Sequence, residues 1–369
     1  MNARSTMNRY CLLGACAMIA IAAIGCGKKD KENADGTPSA TAPKFALAWS
    51  EYPSWSAFYA AEKAGLINGK AGEQGSVEKK WNVDIELIEA DYLTCIQLYG
   101  SKKADAACLT NMDTLGPCAS VKSVAILPTS TSNGGDACIV VDTITDVKGL
   151  KGKKVYGLAN SVSEYCFVRC LQTLGENPAE YAFEDIDPGI ASMALIQKQP
   201  GTEAIMVWNP YVLQTLEKRK DTKILFDSSK IPGEIIDMVI MSQDSLSKPG
   251  GEAFACAVID AYYQLNARLA DPATRDQSLL AISEKFAKFD VKTMEKVVTQ
   301  TQFYATADAG ISILTSDVTK KNMEGIVAFF LGKKVIETAP EIGYGDKASA
   351  PNAAFRFDPT FIKKVSEKK

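Results

Sequence analysis

The sequence predicts an α/β protein of two lobes, and three observations carry that prediction. Short apolar runs alternate with helical patterns from about residue 44 to residue 226. Gly134-Gly135 divides the alternation into two series, and after residue 235 one apolar strand gives way to long amphipathic helices. Strands alternating with helices imply parallel-rich sheets covered on both faces. At 369 residues and 46% apolar content, the chain can bury the cores of two medium-sized lobes.

Taken in order, the first element is an export segment. Arg4 and Arg9, with no acidic residue nearby, precede an apolar run from Cys11 to Ile24, too short to span a bilayer comfortably and suited to a signal peptide. Ala23-Ile24-Gly25-Cys26 is similar to the lipobox of bacterial lipoproteins, in which the new N-terminal Cys carries lipid. Leu13-Gly14-Ala15-Cys16 also fits that pattern but would leave almost no apolar stretch before the cut. Residues 1–25 are therefore expected as the leader, Cys26 as the lipidated residue, and 26–43, rich in Gly, Pro, Ser, Thr and charge, as a flexible tether. An ordinary secretory signal with an incidental Cys is the alternative, and the tether weighs against it.

Lys44 to Trp49 then reads as a strand, Ser54 to Leu66 as a helix, Val83 to Glu89 as a strand and Tyr92 to Tyr99 as a helix. Between them NGKAGEQGSVEKK reads as a polar surface loop. Ala106 to Leu109 and Val124 to Leu127 are strands around a helical stretch from Met112 to Ala119. The second series runs from the strand Cys138 to Val141 through Val155 to Leu158 and the helix SVSEYCFVRCLQTLG, which Gly175 stops. Phe183 to Ile186, Ala191 to Lys198, Ala204 to Trp208, Tyr211 to Lys218 and Ile224 to Phe226 continue it. After the strand IIDMVIMS, Phe254, Val258, Ala261, Tyr262, Leu265 and Leu269 recur at helical spacing as a packing face.

Composition excludes several functions. A formal charge of −3 and scattered Lys and Arg give no footprint for nucleic acid. The chain has no His, so the commonest general base and metal ligand is missing, and neither metal nor cofactor is expected. No Gly-x-Ser-x-Gly elbow or Walker-type loop occurs. Seven cysteines follow Cys26 without metal-type spacing and read chiefly as small buried apolar residues; one or two disulfides are compatible with export.

The segment DVKGLKGKKVYGLANSVSEYCFVRCLQTLG resembles the opening of the second lobe in the solute-binding proteins of nitrate, sulfonate, taurine and thiamine-precursor ABC transporters. Within that group WSEYPSW, TNMDTLGPCA, SNGGDACIV, VWNPY and IPGEIID resemble more closely the branch encoded beside urea-carboxylase-type genes. The resemblance implies the type II periplasmic-binding-protein fold, with two lobes and a hinge crossed twice. Residues 44–135 and 238–345 would form lobe one, 136–237 lobe two, and 346–369 a C-terminal tail. It also implies a binding protein rather than an enzyme, working as a monomer with a permease and an ATPase and held to the membrane by its lipid. A ligand-sensing ectodomain is the rival role. The enzyme that shares this fold and makes a thiamine pyrimidine would need an active-site His, which this chain lacks.

Ligands in open α/β sheets sit beyond the carboxyl ends of the strands. The positions at and just past those ends give Trp49, Tyr52, Asn111, Asp113, Asn133, Asp136, Ser161, Ser163, Trp208 and Asp237 as candidate ligand-binding residues. Each has a plain alternative: Asn111, Ser161 and Ser163 can cap helices, Asp91 and Asp113 can complement helix N-termini, and Trp208, Trp55 and Phe58 can be core. Asp237, alone among Ile235, Ile236, Met238 and Val239, needs a partner, because an unpaired buried charge is costly. The aromatic cluster around Tyr52 offers a wall for a planar or cationic ligand. Carboxylates outnumber Arg and Lys at these positions, so a neutral or cationic nitrogenous solute such as urea or guanidine is favoured, with taurine, other sulfonates, nitrate and a thiamine pyrimidine as alternatives.

Overall fold

The computed structural model describes residues 41–286 and 288–368; the expected leader, and Cys26 with it, lie outside them. Among the described residues the strands are β1 (Lys44–Trp49), β2 (Asp84–Glu89), β3 (Ala106–Thr110), β4 (Ser123–Thr131), β5 (Asp136–Val141), β6 (Lys154–Gly157), β7 (Ala182–Asp185), β8 (Ala204–Trp208), β9 (Thr222–Asp227), β10 (Ile236–Ser242), β11 (Ile342–Tyr344) and β12 (Phe355–Phe357). They form a seven-stranded sheet in the order β11-β12-β4-β10-β3-β1-β2 and a five-stranded sheet in the order β7-β6-β8-β5-β9. Strands β3, β4, β5, β8 and β10 are buried along their whole length, as expected where helices cover both faces of a sheet.

Most neighbours run parallel, but each sheet carries one reversed strand next to its centre. In lobe one β10 is antiparallel to β3 and β4, and in lobe two β5 is antiparallel to β8 and β9. These are the strands that arrive by the two crossings. Register follows from that: Asp237 lies opposite Thr110 and Ser130, and Asp136 opposite Trp208. Directly opposed residues of antiparallel strands present their side chains on one face, so two carboxylates are set among chosen neighbours by strand pairing alone.

The crossings at 132–135 and 228–235 are stitched together. Ser132 Oγ and Ser228 Oγ are 2.8 Å apart, Gly134 N donates to Ser228 Oγ at 2.8 Å, and Thr131 Oγ1 donates to Ile235 O at 2.7 Å. Gly135 is needed there for space, since a Cβ would lie 3.1 Å from Ser132 Oγ and 3.2 Å from Tyr52 Oη. A second seam joins the lobes through the helix Asp317–Gly332: Phe329 packs edge-on against Tyr165 at 5.3 Å, and Lys333 pairs with Glu164.

Two expectations are corrected by the geometry. The insertion read as a loop contains the helix Ser76–Trp81, because Glu78, fully buried, accepts from Asn68 N, Gly75 N and Ile85 N and folds the segment onto β2. Residues 346–369 are more than a tail. Strand β12 inserts between β11 and β4, and the helix Thr360–Glu367 packs on the helix Gly251–Ala270, burying Phe355, Phe357 and Ile362. Fully burying such side chains contributes about 1.5–3 kcal/mol each, which explains why the segment closes lobe one.

Candidate functional site

The turn after β1 carries Tyr52, Pro53, Ser54 and Trp55 into the gap between the lobes, just before the helix Ser56–Lys63. From there a chain of aromatic contacts passes from lobe one to lobe two. Tyr52 meets Trp55 at 5.1 Å, Trp55 stacks on Tyr92 at 5.5 Å, and Tyr92 meets the edge of Trp208 at 5.7 Å. Trp208 continues to Tyr211 at 6.4 Å. Four of these rings, Tyr52, Trp55, Tyr92 and Trp208, line a cavity with Thr110, Asp136, Val162, Ile235 and Asp237, and its volume is about 20 Å³. That is far below the roughly 300–1,000 Å³ typical of drug-sized ligands and is room for about one water, so the walls are closed down on each other.

Three carboxylates converge here. Asp113 Oδ2 accepts from Tyr92 Oη at 2.8 Å, from Thr110 Oγ1 at 3.0 Å and, across the interlobe gap, from Val162 N at 3.4 Å. Burial pushes Asp113 up to about 6 against those bonds. Burial likewise pushes Asp136 up to about 7; the Ser132 hydroxyl opposes the rise, and the charges of Asp113 and Asp227 add to it. Asp237 is raised further by burial, with Ser130 opposing and the charge of Asp136 reinforcing. Ser130 Oγ lies 2.5 Å from Asp237 Oδ2 and 2.8 Å from Ser54 Oγ. Among the described residues no Lys or Arg pairs with any of the three. The cavity is thus rich in acceptors and aromatic faces and has no protein cation.

Of the sequence candidates, Tyr52, Asp136, Trp208 and Asp237 line this cavity, and Asp113 bonds to two of its walls. The others are elsewhere. Trp49 is buried behind the turn and stacks on Tyr59 at 6.3 Å, so Trp55, which reads equally well as core, takes the position expected for it. Asn111 ties the end of β3 to the second crossing, accepting from Ile236 N and donating to Glu234 O. Asn133 serves the first crossing through its backbone N, which donates to Gln300 O at 2.8 Å. Ser161 caps the helix Val162–Thr173 and donates to Leu158 O, and Ser163 lies buried beside it without lining the cavity. Asp91 also caps, accepting from Thr94 N at 2.9 Å. Tyr92 was not marked by the sequence: its only cue is that it comes after a cap at a strand end.

At the rim, Tyr211 Oη of lobe two donates to Glu51 Oε1 of lobe one at 2.8 Å. Burial raises the Glu51 carboxyl, and the charges of Asp187 and Asp91 add to that. Glu51 is therefore half of a bond holding the lobes together.

No protein-family model and no curated protein sequence matches the chain. Solved structures do. The periplasmic aliphatic sulphonate binding protein SsuA from Escherichia coli is similar at 15% identity and a TM-score of 0.62, over 79% of this chain and 94% of that one. The alkanesulfonate-binding protein SsuA from Xanthomonas axonopodis pv. citri, bound to MOPS, is similar at 13% identity and a TM-score of 0.63, over 86% and 100%. The periplasmic nitrate-binding protein NrtA from Synechocystis PCC 6803 gives 11% and 0.54, over 80% and 89%. At such identities the likeness establishes the fold, the two-lobed type II periplasmic-binding-protein architecture.

Proposed function

We propose that this chain is the extracytoplasmic solute-binding component of an ABC importer, anchored by lipid on Cys26, and that it captures a small nitrogenous cation of the guanidine type between its lobes. The observation that carries this reading is the cavity itself: Asp136 and Asp237 line an aromatic-walled space, Asp113 is bonded to its walls, and no Lys or Arg lines it. Buried carboxylates without a protein cation are costly, and a guanidinium offers Asp136 and Asp237 charge-assisted hydrogen bonds while its flat faces meet Tyr92, Trp55 or Trp208. Urea fits the motifs resembling the urea-carboxylase-linked branch, but it brings no charge. The permease and ATPase of the importer would receive the solute from a monomeric carrier, with no chemistry performed on it.

A second reading, an anion such as taurine, another sulfonate or nitrate, is favoured by the named ligands of the structural neighbours. Calorimetric titration of guanidinium, urea, taurine, nitrate and a thiamine pyrimidine separates the two. Saturable binding of guanidinium and silence with the anions supports the cation reading; tight binding of an anion overturns it and leaves the carrier role standing.

A further inference from the structure

The cavity offers donors as well as acceptors. Trp55 Nε1 is buried, has no hydrogen-bond partner in the protein, and belongs to a side chain that lines it, whereas the buried Tyr52 hydroxyl has Ser132 and Asp237 close by. Trp55 is 3% exposed and Tyr52 4%, so water does not reach either side chain freely. A buried donor left without an acceptor is expensive, which is why such groups are rare and ask for a partner. A guanidinium cannot be that partner, because all its polar atoms donate.

We infer that the solute carries a hydrogen-bond acceptor beside its cationic N–H edge, and that Trp55 Nε1 donates to that acceptor. The inference rests on the cation reading and narrows it. The ligand class becomes a small planar cation with a carbonyl or ring-nitrogen acceptor, such as an acylated guanidine or a protonated amino-heterocycle. Asp136 and Asp237 meet the donor edge, and the Trp55 indole N–H meets the acceptor. Asp237 and Asp136 stand at the starts of the two reversed strands, whereas Trp55 comes from the turn after β1. Tyr52 also sits near enough to Asp237 to temper the rise in its pKa, which makes Trp55 the cleaner probe of the two.

The test compares methylguanidinium with acetylguanidinium, which differ by the carbonyl acceptor, together with taurine, by calorimetry on the mature full chain. Wild type should bind acetylguanidinium about tenfold more tightly than methylguanidinium, and Trp55→Phe should erase that ratio even where it weakens both ligands. Because a smaller ring can loosen the turn, a second variant carries benzothienylalanine at position 55, which keeps the bicyclic shape and removes only the N–H. Equal affinities for the two guanidiniums, or an unchanged preference in the benzothienyl variant, overturns the inference while the cation reading survives. Taurine binding with both guanidiniums silent overturns the cation reading, and the variant then reports on the donor alone through the taurine affinity. If none of the three binds, both fail together.

Discussion

Raising the pH from about 5 to about 8 should destabilise the ligand-free chain, against the usual behaviour of a protein rich in paired carboxylates. Asp113 and Asp136 have folded pKa values near 6 and 7, above their ordinary 3.8, so between those limits the folded state holds protons that the unfolded state has released. Stability falls with pH wherever the native state binds more protons. The stabilisation is complete below the unfolded value and is lost as pH rises through the folded one. At about 1.4 kcal/mol per pH unit, Asp113 loses about one unit's worth above pH 5 and Asp136 about two, roughly 4 kcal/mol together. For a chain of this size that is a fall in Tm of roughly 6 °C. Glu51 and Glu78, raised by burial, and Asp237 act with the same sign. Asp91, Asp105 and Asp260 are held low, so their contribution is lost only at more acid pH, and with no His in the chain little else titrates differently in the window. Differential scanning fluorimetry across the range measures the slope, and Asp136→Asn should remove about two thirds of it, raising Tm at pH 8 by roughly 4 °C while weakening cation binding. A Tm that is flat or rises from pH 5 to 8, or a slope indifferent to Asp136→Asn, would refute the view that these carboxyls are buried without compensation.

Other expectations are more direct. Asp237→Asn should weaken guanidinium binding by about tenfold to a hundredfold with the fold intact by circular dichroism, whereas an anion ligand would bind equally or better. Tyr211→Phe removes the bond to Glu51 without touching the cavity lining, so stopped-flow fluorescence should show ligand dissociation faster by about threefold to tenfold; an unchanged rate would assign the rim bond no role in holding the lobes shut. Small-angle scattering should show a smaller radius with saturating ligand than without, as for hinge proteins whose ligand touches both lobes, and equal radii count against closure. Cys26→Ser should yield released or unprocessed protein, with intact-mass analysis of the wild type showing lipid at residue 26.

The sequence made the lobes and the cavity's address legible, but not its occupants. Alternating strands and helices reveal a parallel-rich sheet, and the carboxyl-end rule then points to the right loops, because both depend on chain order. Which side chain of a loop turns inward depends on the reverse strands. Asn111 and Asp113 stand two positions apart in TNMD, yet strand β10 runs antiparallel beside β3 and draws Asn111 to Ile236 N, while Asp113 faces Tyr92 of the preceding helix. Trp49 and Trp55 divide in the same way: the first still belongs to β1 and packs behind it, and the second has passed the turn. Asp237 was legible because a carboxylate inside an apolar strand is costly wherever it points. Tyr92 was not, since a Tyr after a helix cap carries no such cost. Residues whose burial violates a local rule announce themselves in one dimension, whereas residues that only complete a wall become visible when the second lobe is laid against the first. A cavity built of both kinds shows its carboxylates in sequence and its unpaired donor only in the assembled walls. The pH slope therefore tests the part already visible in Asp237 and its neighbours, and the Trp55 variants test the part that needed the fold.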